Sequence, residues 1–547
     1  MNRYRGRESS GSKRQMDATG ADGKAEPSVC AAGRMDWNRW GLSAHWKLCK
    51  ACRGARSGMI RRSSLNSLRI MTPCCGALVI SLALGGCGSL QKYHRIGDEK
   101  NGKGPPVLTV ARATLGATLV ATARAPVAST RTGVVMLRAR VRALVSGAVP
   151  LPKASGKDGS LPAQAGGEEF ESYLDRENLP ARTTGTVEIL VGGSSFFPLF
   201  LNSIAGARIR IDVRTYIFDN DDFAVQVADA LKSKSMEVPV RVLFDGHGSM
   251  LAATKPPPSP PEDFQPPKRI GRYLTEGSNV EVRRTSNPYF VSDHTKLHIV
   301  DGETAFVGGM NVGREYRSHW HDMMTRVNGP VVADLAALFE RQWRAESWWK
   351  GRWGSRRSQG SVGDSTAAID PGELQPLRIL LTDASRGKRD IVKAALIAFR
   401  SAKRRIWIQT PYFSCNDVAL ELERALARGV DVRIIIPGDN DTEIMHSNNL
   451  AEMRSLKEKG AKVYAYPGMT HLKAMISDDW VMFGSANYDT LSMRINRELN
   501  LATSDPRTVD AIANQVFIPD FGQSHPLTLE HLKEEKGAVA DVIGDQL

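Results

Sequence analysis

Two octapeptides carry the residues best suited to chemistry in this chain: His294-Thr-Lys296-Leu-His-Ile-Val-Asp301 and His471-Leu-Lys473-Ala-Met-Ile-Ser-Asp478. Both have the spacing H-x-K-x4-D. The apolar residues after each lysine predict a short buried strand, and each aspartate opens a turn, Asp301-Gly302 in one copy and Asp478-Asp479 in the other. Side chains alternate across a strand, so His and Lys two positions apart face the same side. An imidazole and an ammonium presented together suit an anion. Each copy is followed by small residues and an asparagine, Gly308-Gly309-Met-Asn311 in the first and Gly484-Ser485-Ala-Asn487 in the second. A carboxylate follows in turn: Asp322 lies 28 residues after His294 and Glu498 lies 27 after His471, with Glu315 a competing candidate in the first copy.

These paired motifs resemble those of the phospholipase D superfamily and, within it, the bacterial cardiolipin synthase branch, over roughly residues 186 to 520. The resemblance implies an α/β fold of two tandem, pseudo-symmetric domains, each a mostly parallel mixed sheet flanked by helices, with the active site at their interface. It also implies a carboxylate on each catalytic imidazole, and Asp322 and Glu498 fit that position by offset. Such a carboxylate fixes the tautomer and favours the cationic ring. By the same resemblance His294 is the nucleophile and His471 the acid and base.

The chemistry of a phosphodiester accounts for the inventory. Negative oxygens shield its phosphorus, so an enzyme working without metal needs a nucleophile, an acid for the leaving alkoxide and fixed positive charge for the equatorial oxygens. Two histidines can divide the first two tasks through a phosphohistidine intermediate, so no cofactor and no metal is expected. Lys296 and Lys473 supply charge; Asn311, Asn487 and Ser485 supply neutral donors. Asp301 and Asp478 complete the motifs and are counted with His294, Lys296, His471 and Lys473 as the catalytic set, with the turn as their more natural work. His298, His319 and His321 read as structural residues.

The elements that must position these residues occur twice. The first pass runs from strand Val187–Val191 through a helix into strand Ile209–Phe218, then helix Phe223–Lys232 and strand Pro239–Asp245. The second runs from Leu377–Leu381 through helix Asp390–Ser401 into Arg405–Phe413, then helix Val418–Ala427 and strand Val430–Pro437. Strand-helix-strand order predicts parallel pairing. The expected boundaries are a first domain over 186–353, a linker over 354–375, a second domain over 376–520 and a tail over 521–547. Residues 88–185, rich in Ala, Arg, Gly and Pro, read as a low-complexity lead-in, with one amphipathic helix suggested over 134–145. Trp343, Trp348, Trp349 and Trp353 suit either an interfacial aromatic face or the core.

The net charge of +14 over 547 residues is concentrated upstream: residues 1–70 hold 15 Lys+Arg against 5 Asp+Glu. The catalytic body therefore carries little excess charge, and no nucleic-acid partner is expected. Six of the seven cysteines precede residue 90, so no disulfide framework holds the body. Cys49-Lys-Ala-Cys52 lacks the second pair that a zinc site needs. Residues 1–58 read as disordered. The segment 59–87 has the order of a secretory signal, with basic residues, an apolar run from Cys74 to Leu84 and then Leu84-Gly85-Gly86-Cys87. That ending resembles a bacterial lipobox and implies lipidation at Cys87, with translation starting at Met59. The expected location is thus the bacterial envelope, at a membrane surface, as a lipoprotein facing the periplasm.

The leading expectation is a phosphatidyltransferase that moves a phosphatidyl group from a phospholipid such as phosphatidylglycerol to an alcohol. The alternatives are transfer to water, a nuclease or other phosphodiesterase, and a non-catalytic binding platform.

Overall fold

The Asp301-Gly302 turn folds the strand that follows Lys296 back on itself. Asp301 and Gly302 adopt φ of 57° and 75°, a left-handed pair that a tight hairpin requires. In the computed structural model, which describes residues 107–144, 161–252, 261–346, 369–441 and 443–532, this hairpin is the centre of each half.

In the first half the strands are β1 (Arg182–Val191), β2 (Ile211–Thr215), β3 (Val240–Asp245), β4 (Glu281–Thr285), β5 (Leu297–Val300), β6 (Thr304–Gly308) and β7 (Met323–Asn328). The second half supplies β8 (Gln375–Asp383), β9 (Lys388–Arg389), β10 (Arg405–Gln409), β11 (Asp431–Pro437), β12 (Lys462–Tyr466), β13 (Ala474–Ser477), β14 (Trp480–Gly484), β15 (Glu498–Thr503) and β16 (His525–Pro526). Counted from the seam, the first half runs β1-β7-β6-β5-β2-β3-β4 and the second β8-β15-β14-β13-β10-β11-β12. The order is the same in both, so the sequence repeat is a structural repeat.

The sheet is mixed, and the expectation of mostly parallel strands is corrected. Among the strands of the described residues only β2–β3, β3–β4, β10–β11 and β11–β12 pair in parallel. Strands joined by a few residues must run antiparallel, and the H-x-K strands enter such hairpins: β5 pairs β6 and β13 pairs β14 antiparallel. The helical crossovers account for the parallel part alone. One of them, Asp222–Lys234, is capped by the Asp221 side chain, which accepts from the Ala224 amide, and buries Phe223, Val227 and Leu231 at four-residue spacing.

The halves are joined edge to edge, where Arg182–Gly185 of β1 pairs antiparallel with Gln375–Arg378 of β8. Gly185 must be glycine there, because a Cβ would lie 2.5 Å from Val331 and 2.7 Å from the Asn328 carbonyl. One apolar cluster, with Leu297, Phe339, Leu472 and Phe483, takes side chains from both halves. Trp343 belongs to it and is buried; Trp348, Trp349 and Trp353 lie outside the described residues.

Parts of the expected lead-in and tail are folded onto this body. Helix Gly167–Arg176 places Phe170 against Trp480, and its Glu171 and Asp175 meet the buried Arg378 guanidinium at 2.7 and 2.8 Å. Residues 107–144 form two helices, Val107–Arg124 and Pro126–Leu144. His525–Pro526 adds the edge strand next to β12. The segment 1–106, with Cys49, Cys52, Met59 and Cys87, lies outside the described residues.

Candidate active site

Each H-x-K segment is held by the opposite half. The His294 amide donates to the Arg497 carbonyl at 2.9 Å, just before Glu498, and the His471 amide donates to the His321 carbonyl at 2.7 Å, just before Asp322. Both histidines therefore stand where the carboxylate strand of the other half begins. Their rings follow: His294 Nδ1 lies 3.1 Å from Glu498 Oε2 and 3.1 Å from the Ser485 carbonyl, and His471 Nδ1 lies 2.7 Å from Asp322 Oδ2. The offsets pick out the right carboxylates, but each serves the histidine of the other repeat. Asp322 rather than Glu315 takes the position in the first copy.

Lys296 Nζ donates to the His294 carbonyl at 2.8 Å. Lys473 Nζ lies 2.7 Å from His471 Nδ1 and also donates to the His471 carbonyl. All four H-x-K side chains are buried. Burial, followed by the charges of Lys296 and Lys473, holds both imidazoles well below their ordinary pKa. The expectation that the carboxylates favour cationic rings is thus reversed, because burial and the two lysines outweigh them. Burial also lowers Lys296, with Lys473 the next cause, and brings Lys473 down to about 8. It raises Asp322 to about 6 and Glu498 to about 7, against the pull of the lysines. Desolvation disfavours every charge here, and an entering phosphodiester would favour the cationic forms of Lys and His.

The supporting residues divide differently from expectation. Ser485 Oγ donates to Glu498 Oε2 at 2.6 Å and accepts from the Leu499 amide, so it positions the carboxylate instead of meeting an anion. Its counterpart is Gly309, where a Cβ would fall 2.2 Å from Asp322 Oδ1. Asn311 accepts from the Ile217 amide at 3.0 Å and donates to the Tyr316 hydroxyl at 2.7 Å. Asn487 hydrogen-bonds Asp489. Asp301 and Asp478 serve as strand anchors. Asp301 accepts from the amides of Arg208, Ile209 and Arg210, and Asp478 from those of Lys403, Arg404 and Arg405.

Three aromatic residues complete the site and escape motif reading. Tyr216 meets His294 edge-on at 4.8 Å, while Tyr316 and Trp320 lie 5.4 and 5.3 Å from His471. The one sequence signal for Tyr216 is a break in the repeat, since Thr215-Tyr216-Ile-Phe218 aligns with Thr410-Pro411-Tyr-Phe413. His298 is packed on Phe200 at 4.7 Å, and burial lowers it to about 3, as befits a core residue. His321 pairs with Asp520 at 2.7 Å. Among the described residues no three His, Cys, Asp or Glu side chains are grouped as a metal ion would require.

Two copies of one sheet, each lending a carboxylate to the histidine of the other, define a two-lobed α/β protein with a single shared His-Lys site. Comparison with known proteins agrees. The family model "Cardiolipin synthase, PLD-like domain" matches residues 200–343 and 396–517. Cardiolipin synthase 1 of Bacillus cereus is 30% identical over 357 residues, 63% of this chain and 68% of that one. Cardiolipin synthase A of Pseudomonas putida is 30% identical over 376 residues, 65% and 72% of the two chains. The crystal structure of phosphatidylserine synthase from Haemophilus influenzae shares the fold, with a TM-score of 0.52 at 14% identity over 68% of this chain and 96% of that one. The chain belongs to the cardiolipin synthase branch of the phospholipase D superfamily, and it is an enzyme, a phosphatidyltransferase of that branch.

Proposed function

We propose that the enzyme takes a phosphatidyl group from phosphatidylglycerol onto His294 and passes it to the hydroxyl of an acceptor alcohol, a second phosphatidylglycerol being the acceptor its family suggests. In the first step His294 Nε2 bonds to phosphorus, the bond from phosphorus to the glycerol headgroup oxygen breaks, and His471 gives that oxygen its proton. In the second, His471 takes the proton of the acceptor hydroxyl, its oxygen bonds to phosphorus, and the bond to His294 breaks. Lys296 and Lys473 stabilise the equatorial oxygens.

The observation that carries the division of roles is the difference in what surrounds Nδ1 of the two rings. Two acceptors, the Ser485 carbonyl and Glu498, converge on Nδ1 of His294. They favour a proton there, which leaves Nε2 its lone pair, the form a nucleophile needs. Nδ1 of His471 faces a donor, Lys473, and an acceptor, Asp322. A proton on Nδ1 directed at Asp322 leaves Nε2 to carry a second proton on and off, and the carboxylate balances the cationic ring.

Labelled phosphatidylglycerol, incubated with the enzyme with and without added glycerol or ethanolamine and with chelator, tests this reading. Transfer to an alcohol supports it; phosphatidic acid alone would assign the enzyme to hydrolysis, and loss of activity with chelator would contradict the metal-free route. His294→Ala and His471→Ala should each abolish turnover of phosphatidylglycerol. The proposed workplace is a membrane surface. No helix among the described residues is long and apolar enough to cross a membrane. Lipidation at Cys87 and translation from Met59 are proposals that the intact mass and N-terminal sequence of the native protein would decide; a mature form that keeps residues 1–58 would refute both.

A further inference from the structure

The helices Val107–Arg124 and Pro126–Leu144 are turned the wrong way round for a protein in water. Among their described side chains the buried ones are mostly small or hydroxylic, Thr114, Ala121, Ser129 and Thr132, with Val135 the one larger apolar side chain. Leu115, Leu119, Val120, Val127, Val134 and Leu137 face outward, with Leu119 63% and Val127 72% exposed. Elsewhere among the described residues exposed large apolar side chains such as Ile209, Met236 and Ile518 are scattered along the chain, which needs no explanation; an apolar face on one hairpin does. The same 38 residues contain six arginines and no Asp, Glu or Lys. Arg112, Arg131 and Arg138 lie exposed among the outward leucines and valines.

The hairpin is fastened beside the active site. Val135 packs with Val291, Ala384 and Ile495, so it touches residues three positions before His294 and three before Glu498. Thr118 Oγ1 accepts from the Tyr289 amide at 3.0 Å, and Arg124 pairs with Glu346 at 2.7 Å. The underside of the hairpin thus grips the segments that lead into both the candidate nucleophile and its carboxylate.

We propose that residues 107–144 form the face by which the enzyme docks on an anionic phospholipid bilayer, with the outward leucines and valines in the interface and the arginines at the headgroups. A face that is apolar and exclusively basic is complementary to such a surface, whereas its like charges would repel a second copy. Lying next to the His-Lys site, it would bring a lipid phosphodiester to the reacting groups without removing it far from the bilayer. The inference rests on the reading of the substrate as a bilayer phospholipid.

The test is sedimentation of the full chain with vesicles of phosphatidylcholine alone or mixed with phosphatidylglycerol. Wild type should partition to the mixed vesicles, less so as salt rises. Leu115→Asn, Leu119→Asn and Val127→Asn together should weaken binding about tenfold, since each removes an apolar side chain from the interface. Arg112→Gln with Arg138→Gln should weaken it on mixed vesicles only, and Met236→Asn with Ile518→Asn should change nothing. Hydrogen exchange over 107–144 should slow on adding mixed vesicles, a local readout that an anchor elsewhere in the chain would not produce. Turnover of a short-chain, monomerically dispersed phosphatidylglycerol should be unchanged in every variant. That arm reads the proposed activity separately: if wild type fails it, the activity reading falls while the vesicle arms still judge the docking face. Unaltered vesicle binding in the hairpin variants, unchanged exchange, or a shift in oligomeric state in place of lipid binding would each overturn the proposal.

Discussion

Glu498 Oε2 lies 3.1 Å from His294 Nδ1 although the two residues are 204 positions apart, and Asp322 meets His471 in the same way across 149. Each repeat keeps its histidine and lysine and gives its carboxylate away. Neither half is complete alone, which explains why the halves share an apolar cluster and a continuous sheet and are not merely tethered.

The exchange makes a prediction that same-half pairing would reverse. Glu498→Gln should behave as a nucleophile-side variant with His294→Ala, and Asp322→Asn as an acid-side variant with His471→Ala. On phosphatidylglycerol both carboxylate variants should lose about 10²- to 10⁴-fold in kcat. On a phosphodiester with an activated phenol leaving group, which needs no acid, Asp322→Asn and His471→Ala should regain formation of the covalent phosphoenzyme. Glu498→Gln should remain slow and His294→Ala should form none. Trapping of labelled enzyme by acid quench reads this directly, and rescue of Glu498→Gln in place of Asp322→Asn would sink the assignment.

The two supports of the carboxylates differ, and so should their variants. In Gly309→Ala the new Cβ would lie 2.2 Å from Asp322 Oδ1, with no flexible chain to give way, so the carboxylate must leave His471. Activity should fall by at least about 10²-fold. Ser485→Ala removes a donor to Glu498 and strands the Leu499 amide. The cost there should be about 1 to 3 kcal/mol of stability with a smaller activity loss. Denaturant melts run beside kcat measurements separate the two; equal activity loss in both would argue against this division.

Asp478→Ala should damage the fold and spare the chemistry. It orphans the amides of Lys403, Arg404 and Arg405 and places alanine at φ 47°, for an expected loss of about 2 to 4 kcal/mol. Asp301→Ala, at a partly exposed site, should cost less. In each, kcat of the folded enzyme should stay within about twofold of wild type, since both carboxylates are taken up by strand amides. A loss of kcat comparable to that of His471→Ala would return these residues to the reacting centre.

Much of the layout was legible because local periodicity and global packing agree in the repeats. The helix over Asp390–Ser401 has the bounds expected from its pattern, and the offsets to Asp322 and Glu498 picked the right carboxylates. What was not legible depends on contacts that spacing does not encode. Offsets within a repeat cannot say that its carboxylate crosses to the other repeat. Strand-helix-strand order announces β2–β3–β4 and β10–β11–β12 but is silent on the hairpins that make the rest of the sheet antiparallel. Tyr216 lies just past a strand end, and Tyr316 and Trp320 lie in and after the five-residue helical turn Glu315–His319, segments too short for aromatic residues to show a period. Of the helices over 107–144 the pattern suggested only the later part of the second, over 134–145; the rest escaped because many of their apolar residues face outward, so the rule that apolar means inside gave no guide.

Activity should fall on the alkaline side as a group of this site loses its charge. Burial lowers Lys473 to about 8, so it is cationic below that value and loses its charge above it. The sign is that of lost electrostatic support: kcat/KM should fall as pH passes about 8. Lys473→Arg keeps its charge at high pH, so the alkaline limb should move upward even if the maximum drops, the planar guanidinium being a poor copy of an ammonium. An alkaline limb that stays near 8 in Lys473→Arg would show that another group sets it.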